Sequence, residues 1–147
     1  HLTEAGDEEV VRQVEEDRKK LEELTHQEIV GMAYPGGGVN HDDWVVELIR
    51  KHTKIRYART ITSSYSFDVQ EDLLQFQPTV YHLEFDKMME LGEKFIKLKT
   101  EVPQIYYVWG HSYEFDYYDT WDRFEEFCKM MSGRGDIYYG TNREVLL

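Results

Sequence analysis

The strongest candidate for chemistry is His111, which lies in the run Tyr107-Val108-Trp109-Gly110-His111-Ser112-Tyr113-Glu114-Phe115. The histidine follows a glycine at the end of a predicted strand, and Glu114 comes three residues later. Because imidazole titrates near neutral pH, a histidine in this position suits proton transfer or metal ligation. A structural loop histidine is the alternative. The six histidines include no H-E-x-x-H sequence or other closely spaced metal pair.

Two further strand ends carry residues that could face a ligand. The first is Tyr34-Pro35-Gly36-Gly37, where proline fixes φ and the glycines let the backbone approach a ligand closely. A backbone N–H there could point into a pocket, although an ordinary Pro-Gly turn explains the same residues. The second strand ends near Arg59, and an arginine in that position needs an acidic partner or a ligand.

Hydrophobic periodicity predicts the elements that position these residues. Helices are predicted over residues 7–24, around residues 44–49 after an Asn40 cap, over residues 87–99, and from an Asp119 cap to residue 131. Strands are predicted over residues 29–34, 55–61, 105–109 and 137–139, with a long functional loop at residues 62–85. Strands that alternate with helices indicate parallel pairing in a single α/β domain, with chemistry at the C-terminal ends of the strands.

Composition narrows the range of partners. The net charge of −12, from 17 basic and 29 acidic residues, disfavours nucleic acid and anionic membranes because like charges repel. A single cysteine, Cys128, excludes an intrachain disulfide and a zinc–cysteine cluster, and its helical apolar pattern predicts a buried, inert thiol. No stretch has the length or apolarity of a membrane span, and no signal peptide is recognised.

Several segments together resemble the polysaccharide deacetylase family, also called the NodB-homology carbohydrate esterases. The closest similarity is in the tail, over residues 107–115, 121–128 and 136–142. Residues 76–82, Phe-Gln-Pro-Thr-Val-Tyr-His, are similar to a loop of one branch of the family. The segment Ala33-Tyr34-Pro35-Gly36-Gly37 is similar to the family's third motif, which is usually Arg-x-Pro-Tyr-Gly. The similarity covers nearly all of this chain, which corresponds to the later part of the family domain.

The resemblance implies an incomplete irregular (β/α) barrel and removal of acetyl groups from an amino sugar or polysaccharide. Family members use a divalent metal, often zinc, that is held by one aspartate and two histidines. On this resemblance His111 is the general acid, and the backbone N–H of Gly36 helps to bind the oxyanion. The pocket walls are then Tyr34, Trp109 and Tyr113, with Glu114 or Arg59 orienting the histidine or the sugar.

The chain also departs from the family pattern. Nothing matches the Asp-Asp motif that lies upstream in the family, and Ala33 and Gly36 replace the arginine and the tyrosine of the third motif. His1 falls at or beside the second histidine of the family's H-x-x-x-H stretch, so it is a metal ligand, its neighbour or a residue left from a tag. Since a catalytic zinc needs about three protein ligands, the isolated chain is expected to be inactive or nearly so, and the divalent metal is expected in the complete domain.

Three functional hypotheses follow. The first is a deacetylase acting on an acetylated carbohydrate, from a protein of the bacterial cytoplasm or cell envelope. The second is a non-catalytic carbohydrate-binding or assembly module on the same fold. The third is an unrelated α/β enzyme with different chemistry at His111. Because an incomplete barrel exposes strand edges, self-association through those edges is expected as well.

Overall fold

The computed structural model describes all residues from His1 to Leu147 and combines helices with short parallel strands, which confirms the α/β class. The helices are α1 (Asp7–Thr25), α2 (Asp43–His52), α3 (Phe85–Lys97), α4 (Tyr113–Tyr117), α5 (Trp121–Met131) and α6 (Asn142–Leu146). The strands are β1 (Gly31–Ala33), β2 (Tyr57–Arg59), β3 (Val80–Tyr81) and β4 (Val108–Trp109). None of the helices combines the length and the apolar character needed to cross a lipid bilayer.

The first of two compact units comprises His1–Ile61, Gln70–Phe76 and Thr141–Leu147. Its sheet has two parallel strands, β1 and β2, with Met32 opposite Ala58. Helices α1 and α2 pack on each other, and their apolar faces form a core with the strands. Three acidic residues in the first turn of α1 suit the positive end of the helix dipole.

Helix α2 begins two residues later than an Asn40 cap would place it. Its N-cap is Asp42, whose Oδ1 accepts a hydrogen bond of 2.8 Å from the backbone N–H of Val45. The prediction of an Asn40 cap was therefore wrong. The Asn40 side chain is buried and its amide donates to backbone carbonyls of the preceding turn, so it is a turn residue and not a cap.

The second unit comprises Thr62–Val69 and Gln77–Gly140. Its sheet pairs β3 with β4 in parallel, with Val80 opposite Val108 and Tyr81 opposite Trp109. Helices α3 and α5 pack on each other, and α3 also packs on β3. The core is formed by Val80, Met88, Leu91 and Phe127. Strand β3 lies inside the predicted loop at residues 62–85, and its two residues are too few to produce a visible alternation of apolar and polar positions.

Other sequence-based boundaries also need correction. Helix α5 begins after Thr120, while Asp119 lies outside it with a positive φ of 52°. Cys128 is exposed, because the face of α5 that packs against the core carries Phe127 and not its neighbour. The predicted strand at residues 137–139 has no pairing partner, and the short helices α4 and α6 were not predicted. The two sheets have two strands each, and no barrel is seen.

Candidate functional site

His111 lies just beyond the C-terminal end of β4 with its imidazole exposed. Its ring stacks on Tyr113, with centroids 5.3 Å apart and planes inclined by 18°, and meets Trp109 edge to face at 6.2 Å. Tyr113 is 66% exposed, so this stacked pair faces solvent. Trp109 in turn stacks on Tyr81 of the paired strand, at 4.5 Å. The predicted position of the histidine at a strand end is therefore confirmed, and two aromatic rings flank it.

The backbone of His111 is held by a buried carboxylate. Glu114 is 8% exposed. Its Oε2 accepts a hydrogen bond of 2.9 Å from the His111 backbone N–H and one of 2.7 Å from the Nε2 of His82. The hydroxyl of Tyr81 donates to the other oxygen, Oε1. Burial alone would raise the pKa of Glu114, but the hydrogen bonds from Tyr81, His82 and His111 outweigh burial and hold the pKa below its usual value. The carboxylate is therefore ionised at neutral pH.

His82 is the partner that the sequence did not single out. It is 5% exposed, it directly follows β3, and its backbone N–H donates to the carbonyl of Trp109 at 2.9 Å. Its ring packs against Phe115 with centroids 4.5 Å apart. The parallel register of β3 and β4 brings the two strand ends together. The signal in the sequence was the segment of residues 76–82, which resembles a family loop and ends at His82. The sequence pattern missed it because β3 was predicted to be loop.

The Pro-Gly turn belongs to the first unit, together with Arg59. Pro35 and Gly36 are exposed, and Gly36 has a φ of +80°, which favours glycine. Tyr34 is only 2% exposed, and its hydroxyl donates to the carbonyl of Leu74 at 2.8 Å. Burial raises the pKa of this hydroxyl. The Tyr34 side chain is thus a core residue of its unit, and the exposed part of the turn is the backbone at Pro35 and Gly36.

Asn40 and His41 support this turn from one side. The buried Asn40 amide donates to the carbonyl of Gly36 at 2.9 Å and to that of Tyr34 at 3.2 Å. Its Oδ1 lies 2.9 Å from the Nδ1 of His41, whose ring stacks on Tyr34 at 4.4 Å. Since the Asn40 amide nitrogen is used by two carbonyls, its oxygen must accept, which places the proton of His41 on Nδ1. Neither residue was singled out as a site residue from the sequence.

His1 lies against the same turn. A Cβ on Gly36 would lie 2.7 Å from Cε1 and 2.9 Å from Nδ1 of the His1 imidazole. The structure therefore brings together the proposed metal ligand and the proposed oxyanion donor. Nowhere in the structure do three or more His, Cys, Asp or Glu side chains group in a way that could hold a metal ion. The residues of this chain do not fit a catalytic zinc, which needs about three protein ligands.

Arg59 ends β2 and is half-buried. Its Nη1 donates to the carbonyl of Thr60 at 2.9 Å, so at least part of the guanidinium is used to hold the local backbone. A cleft of about 390 Å³ opens in the same unit between α1 and β1, with Met32, Ala33 and Pro35 in its wall. Most of its lining is apolar, and the charged Arg18 in its wall is paired with Glu15 and Glu22.

The expected site residues are divided between the units. Tyr34, Pro35, Gly36, Arg59 and His1 belong to the first unit, and Trp109, His111, Tyr113 and Glu114 belong to the second. Comparisons of the chain with protein-family models, with curated proteins and with solved structures found no match. The polysaccharide deacetylase resemblance therefore stays a prediction.

Proposed function

We propose that this chain is the later part of a metal-dependent hydrolase that removes acetyl groups from an amino sugar or polysaccharide. The fold is then an incomplete irregular (β/α) barrel of the polysaccharide deacetylase type. The observation that carries the proposal is the exposed imidazole of His111 at the end of a parallel strand, with its peptide N–H tied to the buried carboxylate of Glu114. An exposed ring on a fixed backbone is what a proton donor to a substrate requires.

In this proposal His111 is the general acid. Hydrolysis of an acetamide adds a water oxygen to the carbonyl carbon and breaks the bond between that carbon and the sugar nitrogen. The water oxygen ends in the acetate, and the nitrogen leaves as an amine only after it gains a proton. His111 supplies that proton. The rings of Trp109 and Tyr113 flank the imidazole, and aromatic faces of this kind pack well on the apolar faces of sugar rings. They are the proposed substrate contacts.

The family resemblance implies that the backbone N–H of Gly36, in the first unit, is an oxyanion donor. Its positive φ turns the local peptide away from ordinary extended geometry, and Asn40 fixes the turn by binding its carbonyl. Because this chain assembles no three-ligand group, no step through a metal is assigned to its residues, and His1 would contribute one ligand at most.

A non-catalytic carbohydrate-binding or assembly module is the second candidate. Two observations favour it: the chain lacks a three-ligand group, and Ala33 and Gly36 stand where the family motif has arginine and tyrosine. The same aromatic surface around His111 would then bind sugar without hydrolysing it.

The experiment measures acetate release from N-acetylglucosamine oligomers with added zinc, using the product of the complete reading frame that contains this sequence. We expect release that His111→Ala reduces at least about a hundredfold, as loss of a general acid does. His52→Ala, at an exposed histidine of α2, is the matched control and should leave release unchanged. Binding of the oligomers with no acetate release supports the binding module, and neither binding nor release contradicts both candidates.

A further inference from the structure

We propose that His82 is a positioning residue for His111 and acts through Glu114. This inference rests on the proposed function, in which His111 is the general acid. His82 lies on a different segment of the chain from His111, and one shared carboxylate oxygen of Glu114 connects the two residues.

The Oε2 atom of Glu114 accepts hydrogen bonds from two separate segments of the chain. Oε2 of Glu114 accepts from the side chain of His82 at 2.7 Å and from the backbone of His111 at 2.9 Å, while Tyr81 holds Oε1. The carboxylate therefore has donors on both oxygens, and its orientation is determined by three groups from two strand ends. Because Glu114 is in the first turn of α4, it reaches back to the N–H three residues earlier, as a capping side chain does.

Backbone hydrogen bonding and side-chain packing hold His82 in place. Its backbone N–H is bonded to the carbonyl of Trp109, so its main chain follows the register of the β3–β4 pair. Its ring is packed between Phe115 and the Cα of Gly110, where a Cβ would overlap the imidazole. The ring therefore transmits the position of β3 to the carboxylate and, through it, to the peptide of His111.

Loss of the His82 side chain would weaken the hydrogen bond between Glu114 and the His111 backbone. Without its Nε2 donor, the buried Glu114 carboxylate keeps fewer partners, and a buried anion that loses a hydrogen bond rotates, admits water or binds a proton. Each of these responses weakens the bond from Glu114 to the His111 N–H. The ring of His111 then occupies a range of positions, and a displacement of about 1 Å from the reactive geometry can lower a rate about a hundredfold.

The test compares His82→Leu, which removes the donor, with His82→Gln, whose side-chain nitrogen can replace the histidine Nε2. The spectroscopic readout is the backbone amide proton of His111 in a ¹H–¹⁵N correlation spectrum, where a hydrogen bond to a carboxylate gives a downfield shift. We expect an upfield move in His82→Leu and recovery of most of the shift in His82→Gln. His52→Leu is the control and should leave this resonance in place.

The kinetic readout is acetate release by the same variants in the complete reading-frame product. We expect His82→Leu to lower kcat about tenfold to a hundredfold with little change in KM, and His82→Gln to recover most of it. The positioning role is overturned if the His111 amide signal does not move in a folded His82→Leu protein. It is also overturned if the signal moves upfield as far in His82→Gln as in His82→Leu. The amide shift does not depend on turnover. If the shift behaves as expected but the protein releases no acetate, the proposed function is contradicted and the positioning role of His82 is not.

Discussion

The imidazole of His82 occupies the space that a side chain on Gly110 would need. A Cβ built on Gly110 would overlap the His82 ring, and the backbone N–H of His82 is bonded to the carbonyl of the preceding residue, Trp109. The glycine before His111 is therefore explained by packing and needs no role in turnover. This relationship links two segments of the chain, residues 76–82 and 107–115, in which the sequence resemblance was found separately.

Gly110→Ala should therefore destabilise the second unit and displace His82. An inserted methyl group in a packed site forces side chains off their preferred positions, which typically costs about 1 to 3 kcal/mol. Urea unfolding followed by circular dichroism measures the change. Gly135→Ala is the control, because a Cβ there meets nothing within 4 Å. Equal stabilities for the two variants would contradict the packing of His82 on Gly110.

Gly36→Ala should disturb the turn and displace His1. Gly36 has a φ of +80°, and an alanine in the left-handed region costs roughly 1 to 2 kcal/mol. Its Cβ would also lie 2.7 Å from the His1 ring, so we expect the His1 ring protons to shift in the NMR spectrum. Gly37→Ala is the matched control, since the next glycine has neither a positive φ nor a neighbour within 4 Å of its Cβ. An unmoved His1 signal in Gly36→Ala would show that the contact is absent in solution.

The sequence predicted the longer helices well because each carries an apolar stripe at helical spacing. α1, α2, α3 and α5 all lie where periodicity placed them. The strands were harder to predict because they are two or three residues long, which is too short for alternation to be distinctive. The predicted strand at residues 137–139 failed for a local reason. The Tyr139 hydroxyl donates to the Met131 carbonyl and accepts the Arg134 N–H, and this holds the segment against the end of α5.

Part of the candidate site was predictable because its residues lie close together in the sequence. His111, Gly110 and Glu114 are adjacent in sequence, so spacing alone indicated a histidine at a strand end with an acid nearby. The contribution of His82 depends on which strands pair and in what register, and this is a property of the fold that one sequence does not reveal. The resemblance implies that Tyr34 is a pocket wall, and this stays a prediction; its ring is buried in the first unit, and its hydroxyl donates to the Leu74 carbonyl.

Arg18 should contribute stability that depends on pH. It is 4% exposed and bonds Glu15 at 2.8 Å and Glu22 at 2.5 Å. The hydrogen bond from Arg18 is the main cause that lowers the pKa of Glu15, while for Glu22 the backbone N–H of Ile29 is the main cause. In the unfolded chain the glutamate pKa is about 4.3. As the pH falls, the unfolded state therefore binds protons before the folded state does. The stability that Arg18 contributes is complete above about pH 4.3 and is lost as the pH falls from there through the lower glutamate pKa values of the folded protein.

Arg18→Met should lower the free energy of unfolding by about 2 kcal/mol at pH 6, since it leaves two partly buried carboxylates without their charged partner. The difference from the unmodified protein should shrink when unfolding is measured near pH 3, below the glutamate pKa of the unfolded chain, where the unfolded state binds protons. Arg12→Met is the control, because Arg12 makes the same pattern of bonds to Glu9 and Glu16 on the exposed face of α1. Exposed pairs of this kind contribute little to stability, because water and salt screen the charges. Equal losses in the two variants would refute the special contribution of Arg18.

Cys128 should react with thiol reagents, but slowly. It is exposed, and partial burial and the charge of Glu125 both raise the pKa of its thiol, so little thiolate is present at neutral pH. Glu125→Gln removes the charge and should increase the rate of alkylation by iodoacetamide at pH 7.5. Glu93→Gln, which removes a carboxylate paired with a lysine one turn later on α3, is the control and should leave the rate unchanged. A rate equal to that of a cysteine in a short unstructured peptide would contradict the raised pKa.

The chain is expected to self-associate through β1. This strand pairs only with β2 in its sheet, and a strand with one unpaired edge presents backbone donors and acceptors that a second chain can use. The net charge of −12 opposes association, so adding salt should strengthen it by screening the repulsion. Sedimentation equilibrium over a range of protein concentrations, at low and at moderate salt, measures both effects.

A charge on the edge strand should prevent this association. Ala33 is exposed at the end of β1, and a lysine at a strand edge disfavours pairing with another chain. We expect Ala33→Lys to sediment as a monomer at concentrations where the unmodified chain forms dimers. Gln27→Lys makes the same change in net charge at an exposed residue outside β1, so it separates the local effect from the global one. Because Gln27→Lys lowers the net negative charge, it should leave association unchanged or slightly stronger. If Ala33→Lys associates as tightly as Gln27→Lys, the edge of β1 is not the contact.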